Sequence, residues 1–131
     1  MVRKQKKPDI LKRHFTSYAE ELVQFYHSTK TGEFDEKQIG KHIETTRSLQ
    51  AYFAERVRRE EEKFFKASAF SRANRDLLEE YGGILAGVKE NKTVSLEDKP
   101  KLHYIYKNLV YNYKLYRMPG AVVENLEKIL Q

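Results

Sequence analysis

Six of the first thirteen residues are cationic: Arg3, Lys4, Lys6, Lys7, Lys12 and Arg13, with one acid, Asp9, among them. Lysine and arginine at that density do one kind of chemistry well. They displace the counterions condensed on a polyanion, so that affinity falls as salt rises. If all six met phosphates, log K would fall with log salt at a slope of about −5. The distribution of charge sharpens this reading. Six bases less one acid place +5 of the net +6 in residues 1–13, and the rest of the chain, with 19 bases and 18 acids, carries only +1. A basic end on a nearly neutral body suggests an arm that seeks a polyanion rather than a uniformly basic surface. Fully extended, the thirteen residues would reach roughly 43 Å, enough to follow a duplex backbone.

Other chemistry is poorly represented. The histidines (His14, His27, His42, His103) are far apart and make no i, i+4 pair, and no H-E-x-x-H motif is present. Phosphate-binding glycine loops and the G-x-S-x-G nucleophile turn are absent too. There is no cysteine, which excludes disulfides, thiolate metal sites and cysteine nucleophiles. The carboxylates sit beside bases at helical spacing, as in Glu55/Arg59 and Glu62/Lys66, and read as surface ion pairs. No enzyme, metal or cofactor is expected. Asn91-Lys92-Thr93 matches a glycosylation triplet of a kind that arises often by chance. No apolar run is long enough for a transmembrane helix, and no apolar segment follows the basic start as a secretory signal would require.

The elements that must position these residues are helical. Residues 1–8 read as a basic arm and 9–131 as one helical-bundle domain. A first helix starts near Pro8-Asp9, carries Leu11, Phe15, Tyr18, Leu22 and Phe25/Tyr26 on one face, and ends in the loop "HSTKTGEFD". A second runs from about Asp35 to Lys66 with Ile39, Ile43, Thr46, Gln50, Phe53, Val57 and Phe64 as its apolar face, and breaks near "KASAFS". Ser71 suits the N-cap of a third, whose stripe is Ala73, Leu77, Leu78, Tyr81, Leu85 and Val88. Gly83 and Gly87, four apart, would allow close helix contact. After a polar loop, Ser95 suits a capping turn and Pro100 a first helical turn. The fourth helix, "KLHYIYKNLVYNYKLYR", is followed by a short last helix starting at Pro119, with Val122, Val123, Leu126, Ile129 and Leu130. The expected class is all-α: four main helices plus a short C-terminal one.

Two surfaces follow from helical geometry. On the fourth helix, Leu102, Ile105, Tyr106, Leu109, Tyr113 and Tyr116 share one side, while Tyr104, Tyr111 and Leu115 form a second strip opposite, flanked by Lys107 and Lys114. Either this helix is buried all round, or the second strip packs against another subunit, where tyrosine is favoured. On the second helix, Lys37, Lys41, Arg56, Arg59, Lys63 and Lys66 form a basic stripe with Tyr52 among them. It is either a solvated face laced by Glu44, Glu55 and Glu62, or a continuation of the arm's binding surface. No base-reading device is present, so any nucleic-acid binding is expected to be backbone-led and largely independent of sequence.

A basic arm, a helical body and a tyrosine-rich surface together resemble the major coat proteins of filamentous archaeal viruses, the rudivirus and lipothrixvirus group. "KNLVYNYKLYRMPGAVVENLEKIL" is similar to that family's aromatic helix, Gly/Pro turn and terminal amphipathic helix, and "SRANRDLLEEYGGILAGV" to the helix before it. The likeness spans residues 70–131 in pattern and the arm in character. Rudivirus coats are richer in Ala and Gly and less charged, so the lipothrixvirus branch is favoured. The resemblance implies a virion coat subunit, present in the host cytoplasm during assembly. It implies linear double-stranded DNA held in A-form as partner, a second coat copy or paralogue completing a dimer, and a surrounding lipid envelope in lipothrixviruses. Arg3, Lys4, Lys6, Lys7, Lys12 and Arg13 match the DNA-wrapping arm. The second-helix stripe matches by character alone. Two other readings stand beside it. One is a small helical subunit of a type III CRISPR effector, for which Tyr104 and Tyr111 near Lys107 would stack single-stranded bases. The other is an interaction module that binds a protein through the fourth helix.

Overall fold

The computed structural model describes residues 7–118 and 120–130, with side chains from Phe15 onward. Its elements are α1 (Lys7–Thr31), α2 (Glu36–Phe64), α3 (Ala69–Asn91), α4 (Asp98–Leu115) and α5 (Gly120–Ile129), with no strand among the described residues. The chain is all-α, with four long helices and a short fifth.

Local chemistry sets the boundaries. On α1, Phe15, Tyr18, Leu22 and Phe25 are buried at helical spacing. The helix continues through "HSTKT", further than its loop-like composition suggests. Thr29 donates its hydroxyl to the Tyr26 carbonyl (2.6 Å) within the helix, and the stop comes at Gly32, whose φ of 78° suits a residue without Cβ. Asp35 caps α2, its carboxylate accepting from the N–H groups of Lys37 (2.8 Å) and Gln38 (3.3 Å).

Several expectations need correction. The buried face of α2 stops at Val57, so Phe64, expected on it, lies in an outlying last turn and is 61% exposed. Gln50 is only half-buried. Ser68, not Ser71, caps α3. Its extended backbone leaves the hydroxyl free to accept from the Ser71 N–H (3.2 Å), while the Ser71 hydroxyl donates to Glu60 (3.0 Å). Glu60 also accepts from the Ser68 N–H (2.8 Å) and Arg56 (2.8 Å), fastening the α2–α3 turn. Burial works to raise the Glu60 pKa, but these hydrogen bonds outweigh it and hold the carboxyl below its ordinary value. Gly83 and Gly87 make no close helix contact within the chain: a Cβ added at either meets nothing within 4 Å. Ser95 accepts from the Asp98 N–H and Pro100 lies in the first turn of α4, both as expected. The start of the last helix at Pro119 falls outside the described residues.

The four long helices run up-down-up-down. Phe15 meets Phe53, Tyr18 meets Thr46, and Phe25 meets Phe34, so α1 and α2 are antiparallel. His42–Tyr81 and Phe53–Phe70 set α2 against α3 in the same way, and Tyr81–Tyr106 and Phe70–Tyr116 set α3 against α4. Phe15–Tyr113 and Tyr26–Tyr106 close α4 back onto α1. The short α5 packs on α1 and α4, burying Val122, Val123, Leu126 and Ile129.

Inside this apolar shell runs one polar chain. Tyr106 donates to the Tyr81 hydroxyl (3.1 Å), and the Tyr81 hydroxyl lies 2.7 Å from His42 Nε2. His42 Nδ1 lies 2.8 Å from Glu21. Tyr81 accepts from Tyr106 and also bonds His42 Nε2, and His42 Nδ1, which faces the acceptor-only Glu21 carboxylate, donates to it. Tyr18 and Thr46 make a separate buried pair at 2.8 Å. By contrast, the buried Tyr113 hydroxyl has no hydrogen-bond partner among the described residues.

Replacing Tyr81 by Phe should therefore cost about 1–3 kcal/mol, because it strands His42 Nε2 and the Tyr106 hydroxyl. Tyr113→Phe should raise stability by up to about 1 kcal/mol, because it removes a desolvated hydroxyl. Urea unfolding of both variants checks the pair. Burial also pushes the pKa of Tyr18, Tyr81, Tyr106 and Tyr113 above the ordinary tyrosine value. The folded state thus keeps protons that the unfolded chain releases near pH 10, so stability is full below that pH and falls as pH rises through it. Alkaline unfolding followed by phenolate absorbance should show these four ionising together with loss of helix.

Candidate nucleic-acid and assembly surfaces

Arg3, Lys4 and Lys6 lie outside the described residues. Lys7, Lys12 and Arg13 fall on the first two turns of α1, whose side chains are likewise outside the description. The backbone register still locates them. Phe15 sits at the level of Phe53, and α1 runs opposite to α2. Residues 7–13 therefore continue toward the level of Arg56, Arg59 and Lys63, at the end of the bundle that holds the α2–α3 turn. Lys37 and Lys41 are at the other end of α2, roughly 39 Å from Lys63 at 1.5 Å per residue. The stripe is thus divided: its C-terminal half shares an end of the bundle with the arm, and its N-terminal half does not.

The two arginines of the stripe are already engaged. Arg56 donates to Glu60 (2.8 Å) and to the Tyr52 hydroxyl (3.1 Å), and Arg59 donates to Glu55 (3.0 Å). Glu55 also takes two bonds from Arg58 (2.6 and 2.9 Å), and these hydrogen bonds from Arg58 and Arg59 hold its carboxyl down at about 2. The expected Glu55/Arg59 pair is present. Glu62 meets Arg58 (2.8 Å) instead of Lys66, because α2 ends at Phe64 and Lys66 is no longer on its surface. Lys37, Lys41 and Lys66 are exposed with no carboxylate in salt-bridge reach among the described residues. The Lys63 ammonium stands 5.4 Å from the centre of the Phe64 ring. A phosphate approaching the C-terminal end of this face would meet Lys63 beside two neutralised arginines, with Lys37 and Lys41 at the opposite end of the helix.

On α4 one side is buried through Leu102, Ile105, Tyr106, Leu109, Val110 and Tyr113. The helix is not buried all round: Tyr104 is 60%, Tyr111 61% and Leu115 65% exposed. Tyr116, expected on the buried side, is 38% exposed and stacks flat on Phe70, ring centres 4.2 Å apart. It lies at the C-cap of α4, its N–H still on the Asn112 carbonyl (3.0 Å), and the chain turns left-handed only at Arg117 (φ 61°). Beside the strip, Lys114 is held by Glu127 of α5 (2.7 Å), whereas Lys107 is exposed and unpaired among the described residues.

One exposed feature gave no periodic signal. Phe65, just past α2, is 98% exposed and left-handed at φ 68°, with Phe64 beside it and lysines on either side of the pair. Of the histidines, His27 and His103 are exposed and His42 belongs to the buried chain. The described residues contain no group of three or more His, Cys, Asp or Glu arranged to hold a metal, and no helix among them is long and apolar enough to cross a membrane. No family model, curated protein or solved structure matches the chain.

A left-handed phenylalanine is disfavoured by roughly 1–2 kcal/mol. Phe65→Gly should recover about 1 kcal/mol in urea unfolding, since this C-cap position suits glycine.

Proposed function

We propose that the chain is a structural nucleic-acid-binding subunit of the coat-protein kind. Its basic arm lies along the phosphate backbone of a linear duplex, and copies join through the outer strip of α4 into a nucleoprotein filament. The observation that carries this reading is the partition of charge. Residues 1–13 hold +5 of the net +6, while the three arginines of the outer α2 face, Arg56, Arg58 and Arg59, are occupied by glutamates. A chain charged that way offers its excess of positive charge from one tethered end, because the body's cations are nearly matched in number by its acids. Contacts confined to phosphates position a duplex without reading it, which suits packaging of any sequence. Such a subunit belongs in the nucleoprotein core of a virion.

A second reading rests on a specific observation: Tyr104 and Tyr111 are exposed on either side of Lys107. This could serve a single-strand-binding effector subunit. Seven residues along a helix separate the two rings by roughly 10.5 Å, too far for consecutive stacked bases, so the duplex-coating reading is preferred.

The test is a variant with all six cations of the arm (Arg3, Lys4, Lys6, Lys7, Lys12, Arg13) changed to Gln, assayed by duplex titration and negative-stain microscopy. The native chain should bind linear duplex with a salt slope of about −5 and coat it. The variant should stay helical by circular dichroism, lose that slope, and form no coated duplex. Unchanged duplex binding would sink the proposal. Binding to single strands that survives in this variant and fails in Lys107→Glu would replace it with the effector reading.

A further inference from the structure

We propose that copies of this chain associate head to tail, the outer strip of α4 in one copy seating on the exposed face of α3 in the next. This rests on the assembly half of the preceding reading and specifies both surfaces.

The donor surface has the spacing of a helix-packing seam. Tyr104, Asn108, Tyr111 and Leu115 follow steps of four, three and four, the d–a–d–a pattern of a heptad. Three of the four are large and mostly exposed. The borders of the seam are basic: Lys107 on one side and Lys101 on the other, both exposed. This argues against the simplest pairing. Two such strips set face to face across a two-fold axis would bring lysine borders together in a partly desolvated contact, and like charges there are repulsive. The strip requires a partner helix that is small along its centre and acidic at its margins.

The chain carries such a helix. On the solvent side of α3, Gly83, Ala86 and Gly87 leave a shallow central surface. A Cβ at either glycine meets nothing within 4 Å, so no described element of the same chain fills this space. Glu79 and Glu80 lie before these residues and Glu90 after them, all exposed and in no salt bridge among the described residues, although the Glu79 charge acts on Arg75 one turn earlier. The lengths match: Tyr104 to Leu115 and Glu79 to Glu90 each span eleven helical steps, about 16.5 Å of helix. Tyrosine and leucine knobs over a glycine surface allow close approach, and lysine borders meet glutamate margins. The two faces belong to different helices of one bundle. In the head-to-tail arrangement the two faces of one copy engage two different neighbours, so the contact is heterologous: each added copy presents both faces again, and growth continues unless the rotation closes a ring.

The test uses the full chain without nucleic acid, so it is separable from the arm experiment. A chain that associates but ignores duplex would overturn the coat reading alone, and a chain that binds duplex as a persistent monomer would overturn this one alone. Tyr111→Asp disables the α4 strip. Gly83→Arg disables the α3 face, with Glu79→Lys/Glu80→Lys as a second α3 variant should the first lose helix by circular dichroism. In sedimentation velocity at low salt, the native chain should grow with concentration past the dimer. Each variant alone should be monomeric, and an α4 variant mixed with an α3 variant should give a dimer and nothing larger. Adding Lys107→Glu and Lys101→Glu to the Glu79→Lys/Glu80→Lys chain should restore at least tenfold of its lost association. A native chain that stops at a dimer, an α3 variant that associates like the native chain, or a mixture that stays monomeric would each overturn the proposal.

Discussion

A single chain of hydrogen bonds takes one residue from each long helix: Tyr106 from α4, Tyr81 from α3, His42 from α2 and Glu21 from α1. Apolar packing alone tolerates sliding of one helix along another, because leucine and valine contacts are non-directional. A buried polar chain does not. Moving any of the four helices by one turn would leave desolvated donors and acceptors unpaired, each at a cost of about 1–3 kcal/mol. The aromatic contacts around the chain agree with the same register, since Phe25 and Tyr18 pack on His42 while Tyr26 packs on Tyr106. Hydrophobic burial supplies the bulk of the stability, and the polar chain selects which of several similar packings is adopted.

That fixed register gives the surface its organisation. Because α1 is locked antiparallel to α2, the arm emerges at the end where Lys63 and Lys66 flank an exposed phenylalanine pair. Because α4 is locked with Tyr106 and Tyr113 inward, Tyr104 and Tyr111 point outward. The long outer face of α2 is mostly self-neutralised: Arg56, Arg58 and Arg59 are matched by Glu55, Glu60 and Glu62. Exposed pairs of this kind add little stability, but they remove arginine from the set of cations available to a partner.

Much of this was readable from periodicity. The 3.6-residue repeat located four long helices and a short fifth, and the same arithmetic separated Tyr104, Tyr111 and Leu115 from the buried side of α4. Boundaries were harder. Ser68 and Ser71 are both plausible caps by composition, and only the backbone at Ser68, together with Glu60 from the preceding helix, decides between them. Phe64 continues the apolar pattern of α2, yet it is exposed in the last turn of the helix, beyond the buried face that stops at Val57; a helix's pattern does not say how much of it its partners cover. The polar chain left no sequence trace at all. Glu21, His42, Tyr81 and Tyr106 share no motif or spacing, and their meeting depends on the relative registers of four helices. For the same reason the stripe on α2 looked uniform in sequence, whereas its two arginines are occupied and its lysines are split between opposite ends.

The packing of α5 on α1 joins two helices that three others separate in sequence. Every other major contact links helices that are neighbours in sequence or close a short hairpin stack, so most of the bundle can form from local encounters. The contact of α5 with α1 cannot form until α2, α3 and α4 have been made. During synthesis, part of the apolar face of α1 waits uncovered while those three helices emerge, and α5 then seals it. A chain cut short before Val122 would leave that face open to other nascent chains, so this ten-residue helix acts as the closing latch of the bundle.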